Sequence, residues 1–190
     1  MDKIYPIREI IASDELSSLF ERFHSVGGAV DYILIDPGTH QPSEALHQIA
    51  AIVCMELLND KDPSSRWCCD YDTSQMYAEP INISKFLGSY FDTDTHRIIR
   101  PKSYPDLGYA FAFSSPPYGL RVSLEEVNEL FLAINTHLFN NFSDALDIYQ
   151  WSTNWSNYFI AGNEWWGSFF WTIHNKSRDF IVVVGASETD

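Results

Sequence analysis

The stretch WWGSFFWTIHNKSRDFIVVVG, residues 165–185, decides the fold. It holds two runs, 165–174 and 180–185, rich in the aromatic and β-branched side chains that favour strands. Between them lie Asn175, Lys176, Ser177, Arg178 and Asp179, a polar loop of hairpin length, so the runs are expected to pair antiparallel. Successive side chains of a strand point to opposite faces. Trp165, Phe169, Trp171 and Ile173 would therefore share one face around Gly167, with Trp166, Ser168, Phe170, Thr172 and His174 on the other. The first face reads as core and the second as amphipathic.

Working outward, residues 145–151 and 158–161 carry the same strand composition, and 109–113 alternates as a short strand before Ser115-Pro116-Pro117-Tyr118-Gly119 stops it. Ser123 with Glu126 three positions later spells a capping box, followed by Val127, Leu130, Phe131, Ile134 and Leu138 at helical spacing. Ser13, Asp14 and Glu15 open a first helix whose apolar face is Leu16, Leu19, Phe20 and Phe23. Residues 29–35 read as a strand. A second helix, from Pro42 and Ser43 to about Asn59, is apolar around much of its girth and so is expected to be buried. A short helix is expected within 84–91. The result is an α+β fold, about three main helices packed on a mostly antiparallel sheet with a C-terminal β-hairpin. No repeat or linker divides the 190 residues, so they are read as a single domain.

Composition bounds the function. Hydrophobic residues make up 45% and aromatics 15%, enough for a core, and no apolar run approaches the length of a membrane span. Asp and Glu number 26 against 12 Lys and Arg, for a net charge of -14. The excess is spread, -8 over residues 1–100 and -6 over 101–190. Nucleic acid and anionic membrane are poor partners for such a chain, because phosphate binding needs a cationic footprint. A basic protein is the better one, since distributed carboxylates steer it in. The N-terminus lacks an apolar secretion signal, and three cysteines without metal-ligand spacing suit the cytoplasm.

No motif points to catalysis, a metal or a cofactor. Ser187 lacks the second glycine of a nucleophile elbow, because Thr189 stands there. Asp92, Asp94 and His96 alternate as metal ligands could, but with Thr93 and Thr95 they read better as a solvated turn. Gly27-Gly28 matches no phosphate-binding loop. Cys54 reads as a core thiol and Cys68 as a loop thiol beside Arg66.

What remains is an acidic stretch around 60–79, read as an exposed loop, and aromatic density over 151–171. Asp60, Asp62, Asp70 and Asp72 with Trp67 and Tyr71 mix carboxylates and rings in the way that recognition of Arg and Lys requires. Trp155, Tyr158 and Trp166 join them as contact candidates, whereas Trp165, Phe169 and Trp171 read as core. The expected function is that of a non-enzymatic acidic protein, monomer or homodimer, which neutralises a basic protein partner in the manner of an immunity protein or inhibitor. The alternative is a small-ligand or hydrolytic enzyme, with a site between the 123–139 helix and the C-terminal sheet that uses His137, His174 or Glu164.

Overall fold

Residues 7–40, 43–61, 69–102 and 105–188 are described by a computed structural model of the chain. Among them the order is β1 (Arg8–Glu9), α1 (Asp14–Ser25), β2 (Asp31–Asp36), α2 (Glu44–Lys61), β3 (Ala78–Ile81), α3 (Ile83–Leu87) and the small hairpin β4 (Phe91–Asp92) and β5 (Arg97–Ile98). Then come α4 (Tyr109–Ser114), α5 (Leu124–Phe139), β6 (Leu146–Trp151), α6 (Ile160–Asn163), β7 (Phe169–Asn175) and β8 (Phe180–Ala186). Six strands make one antiparallel sheet in the order β1-β2-β8-β7-β6-β3. The fold is α+β, and α1, α2 and α5 are its long helices.

The C-terminal hairpin forms as the sequence indicates, with Phe169 opposite Ala186 and Asn175 opposite Phe180. Asn175 also organises the turn, its Oδ1 accepting from the backbone N–H groups of Ser177 and Arg178 at 3.1 and 3.2 Å. The hairpin is shorter than the aromatic run. Trp165 and Trp166 precede β7 in a turn after α6, and Gly167 there adopts a positive φ of 116°.

Both faces of the sheet are buried, so the expected amphipathic face is not amphipathic. On one side Trp171, Ile173, Val182 and Val184 pack with Phe23 of α1, Phe86 of α3, Tyr109 and Phe113 of α4, and Leu130, Ile134 and Leu138 of α5. On the other side Phe170, Ile181 and Val183 pack with Leu46, Ala50 and Met55 of α2 and with Trp155 and Phe159. The run 181–184 is apolar at every position because it is covered on both sides. Thr172 of the second face is satisfied internally: its Oγ1 receives the Trp151 Nε1–H at 2.9 Å and lies 2.8 Å from His47 Nδ1.

Helix starts follow their capping residues. Ser13 Oγ accepts from Leu16 N at 3.3 Å. At α5, Ser123 Oγ accepts from Glu126 N at 3.3 Å while Glu126 Oε2 accepts from Ser123 N at 3.1 Å, completing the capping box.

Several local expectations are corrected. Residues 109–113 belong to helix α4 and not to a strand: Tyr109, Ala110, Ala112 and Phe113 are all buried, so the alternation of large and small side chains records packing all round a helix. Residues 158–161 are likewise helical, a 3-10 turn (Asn157–Phe159) running into α6. Trp165, expected in the core, is 50% exposed. Trp155, expected at a binding surface, is 1% exposed and packs against Phe159 and Phe170. Cys54 is a buried thiol as read, and Asp92, the last residue of β4, opens a turn over 93–96, its Oδ1 accepting from Asp94 N at 2.9 Å.

Candidate functional site

The acidic loop and the helical turn after β6 meet over the α2 face of the sheet. Asn59, near the end of α2, holds Cys69 from both sides, its Oδ1 accepting from the Cys69 N–H and its Nδ2 donating to the Cys69 carbonyl. From there Asp72 N donates to the Trp155 carbonyl at 2.7 Å and Asn157 N to the Asp70 carbonyl at 3.2 Å. Tyr71 bridges to Ser156 and donates its hydroxyl to Glu56 Oε1 of α2 at 3.0 Å. Residues 69–72 are thereby fastened on two sides. Glu56 and Asp60 of α2 and Asp70 and Asp72 on either side of Tyr71 all lie exposed, while Tyr71 itself is half-buried.

Tyr158 borders the same region, donating its hydroxyl to Asp31 Oδ2 at 2.8 Å. Burial, and then the adjoining Asp31 carboxylate, push this phenol well above its ordinary value, so it stays a neutral donor. Asp72 Oδ1 accepts from the Ser74 hydroxyl at 2.7 Å and the Ser74 N–H at 2.9 Å, which holds the carboxyl below its usual range. It remains ionised well into acid.

Of the residues picked out from sequence, Asp60, Asp70, Tyr71, Asp72 and Tyr158 are thus gathered on one side of the molecule. Trp155 lies beneath them as packing. Asp62 and Trp67, with Cys68, lie outside the described residues. Trp166 is elsewhere, half-buried, with its Nε1–H donating to the Ser115 carbonyl at 2.7 Å and its ring against Phe111 and Phe169.

The three residues of the enzyme alternative are dispersed. His174 points to the α2 face of the sheet, on the far side from α5, with its ring 6.5 Å from that of His47. His137 of α5 is partly exposed, 3.6 Å from Glu15. Glu164 is exposed beyond α6. Between α5 and the sheet stand Phe86, Tyr109, Phe131 and Phe139, a filled apolar layer. Among the described residues no group of three potential ligands is placed to hold a metal ion, and no helix is long and apolar enough to cross a membrane.

No known family and no curated protein matches this chain. The functional reading therefore rests on surface chemistry alone.

A second surface was not legible in the sequence. After α4, Pro116-Pro117 ends the helix, and Gly119 N donates back to the Pro116 carbonyl at 2.9 Å in a turn that lifts Tyr118 into solvent. Trp166 braces this turn through Ser115, and its neighbour Trp165 is left outside, its ring 6.1 Å from that of Tyr118. Two hollows of about 330 and about 600 Å³ adjoin here, sharing Pro116, Pro117 and Gly119. Arg121 lines the smaller and Arg100 the larger. Strand-like spacing hid Trp165, and nothing in the sequence links Arg100 to a turn some sixteen residues downstream.

Proposed function

We propose that the chain is a non-enzymatic binding protein that engages a basic protein partner through the surface formed by Glu56, Asp60, Asp70, Tyr71 and Asp72. The observation that carries this reading is the fastening of residues 69–72: main-chain bonds to 155–157 and the contacts of Asn59 with Cys69 anchor the backbone that carries Asp70 and Asp72. Preorganised charges avoid the ordering cost that a floppy acidic loop meets on binding. The net charge of -14 adds long-range attraction, which raises association rates toward a cationic protein. Tyr71 supplies a ring beside the carboxylates, suited to stacking on Arg. Occlusion of a partner's basic site is the expected consequence, and the cytoplasm the expected place of action.

The test is affinity capture followed by titration of the captured basic protein. Its Kd should rise at least tenfold between roughly 50 and 500 mM salt, because exposed charges are screened over that range. Asp60→Asn, Asp70→Asn and Asp72→Asn together should slow association by a comparable factor. A Kd that ignores both salt and these substitutions overturns the proposal.

A further inference from the structure

The larger hollow, of about 600 Å³, falls within the size range of small-molecule sites. Its walls come from the end of β5 and the residues after it, from the end of α4, from the turn that follows and from the first turns of α5. Each wall is pinned to another element. Asn128 of α5 holds Ile98 from both sides, its Oδ1 accepting from Ile98 N at 2.7 Å and its Nδ2 donating to the Ile98 carbonyl at 3.4 Å. Ile99 N donates to the Tyr90 carbonyl at 2.8 Å, and Trp166 Nε1 to the Ser115 carbonyl at 2.7 Å. The hollow is thus part of the fold, and a ligand entering it meets little ordering cost.

Charge and hydrogen-bonding capacity narrow what that ligand is. Arg8, Lys85, Arg97, Lys176 and Arg178 each pair with a carboxylate. With 26 carboxylates to 12 cations, pairing is the expected state of an arginine here. Arg100 departs from it. Among the described residues it has no carboxylate partner, and it is the one charged side chain lining this hollow. Two hydroxyl side chains line it as well. Tyr90 has no side-chain hydrogen bond among the described residues. Ser115 Oγ lies 3.4 Å from Ser114 Oγ, long for a hydroxyl pair, while Ser114 donates to the Ala110 carbonyl at 2.7 Å. The guanidinium and these two hydroxyls are donors, so the complementary ligand brings acceptors and a negative charge.

One guanidinium balances one negative charge. A phosphate dianion would leave its second charge uncompensated within a chain of net charge -14, whereas a carboxylate would not. The rest of the lining includes Ile99, Leu120, Val122 and Leu124, of which Ile99 and Leu124 are 37% and 44% exposed. These side chains suit an apolar body attached to the anionic group.

We infer that the hollow between β5, α4 and α5 binds a small organic monocarboxylate. The Arg100 fork takes the carboxylate, Tyr90 and Ser115 offer further donors, and the apolar body lies against Ile99, Leu120, Val122 and Leu124. The site does not depend on the acidic surface proposed for the basic partner.

The experiment uses the full chain, isotopically labelled, and a panel of phenyl-substituted and branched aliphatic monocarboxylates titrated by two-dimensional NMR. The matching neutral amides and inorganic phosphate serve as comparison probes. At least one acid should bind at millimolar concentration or below and at least tenfold more tightly than its amide, with shifts concentrated at 98–101 and 114–122. Arg100→Gln should bring that acid down to the affinity of its amide and leave the amide unaffected. Arg100 is exposed and unpaired among the described residues, so the variant should melt at the parent temperature, which separates a lost contact from a lost fold. Tyr90→Phe and Ser115→Ala should each weaken the acid severalfold. Asp70→Asn with Asp72→Asn should change nothing. No acid binding at millimolar concentration, equal binding of acid and amide, shifts centred elsewhere, phosphate binding more tightly than every acid, or indifference to Arg100→Gln overturns the inference.

Discussion

His47 shows how a single side chain registers the two-sided sheet. Its ring is fully buried between α2 and β7, within 4.5 Å of the Tyr149 ring, and its Nε2 has no hydrogen-bond partner among the described residues. Burial lowers its pKa from 6.5 to about 4, against the opposing pull of Asp147 and with a small contribution from His174. Above pH 6.5 the imidazole is neutral folded or unfolded and stability does not depend on it. As pH falls from 6.5 toward about 4, only the unfolded chain takes the proton, so folding loses free energy; below about 4 the loss levels off. At 1.36 kcal/mol per pH unit the limit is about 3 kcal/mol. Urea denaturation at a series of pH values should show this decline, and His47→Gln should flatten it. A His47→Gln curve as steep as that of the parent chain would assign the acid sensitivity to other groups.

Among the elements, α3 and α4 owe their approach to a pair of glycines. Gly88 ends α3 with φ at 70°, and Gly108 precedes α4. A Cβ on Gly108 would stand 2.6 Å from the Phe86 carbonyl oxygen and 2.8 Å from Gly88 N, backbone atoms that cannot swing aside. Gly108→Ala should therefore cost about 2 kcal/mol or more by overpacking, seen as a lower urea midpoint with an unchanged slope. This contact also explains why residues 109–113 misled as a sequence pattern. Tyr109 and Phe113 are four apart and both buried, with Ala110 and Ala112 also buried against neighbours. A helix packed all round loses the 3.6-residue signature, and large-small alternation then imitates a strand. By contrast α5 kept its signature, because its capping box and one-sided apolar stripe are local.

For the molecule as a whole, the sheet divides two cores that share one set of strands. Trp171 anchors one, against Phe86, Tyr109 and Phe169, and Trp155 the other, against Phe159 and Phe170. Trp171→Ala and Trp155→Ala should each cost about 3–5 kcal/mol. Because the two rings have no ring partner in common and lie on opposite faces, the costs should add to within about 0.5 kcal/mol in the double variant. Since both cores are built on the same strands, each variant should still unfold in one transition, with calorimetric and van 't Hoff enthalpies equal. Two separate transitions would mean that the α2 layer folds independently.

Much of the architecture could be read from residue order. The hairpin of β7 and β8, the three long helices, the turn at Asp92 and the buried thiol of Cys54 all rest on periodicity, caps or turn chemistry within a few residues. The net charge of -14 and its spread also need no coordinates. The candidate surfaces are different. That Tyr71 reaches Glu56, that Asp70 and Asp72 bind the main chain of 155–157, and that Trp166 is a strut while Trp165 is outside all depend on segments far apart in the chain. Adjacent tryptophans have the same composition and propensity. Only the neighbours that folding brings, here the Ser115 carbonyl for one and Tyr118 for the other, give them opposite fates, because burial belongs to packing between elements and not to any property of the residue itself.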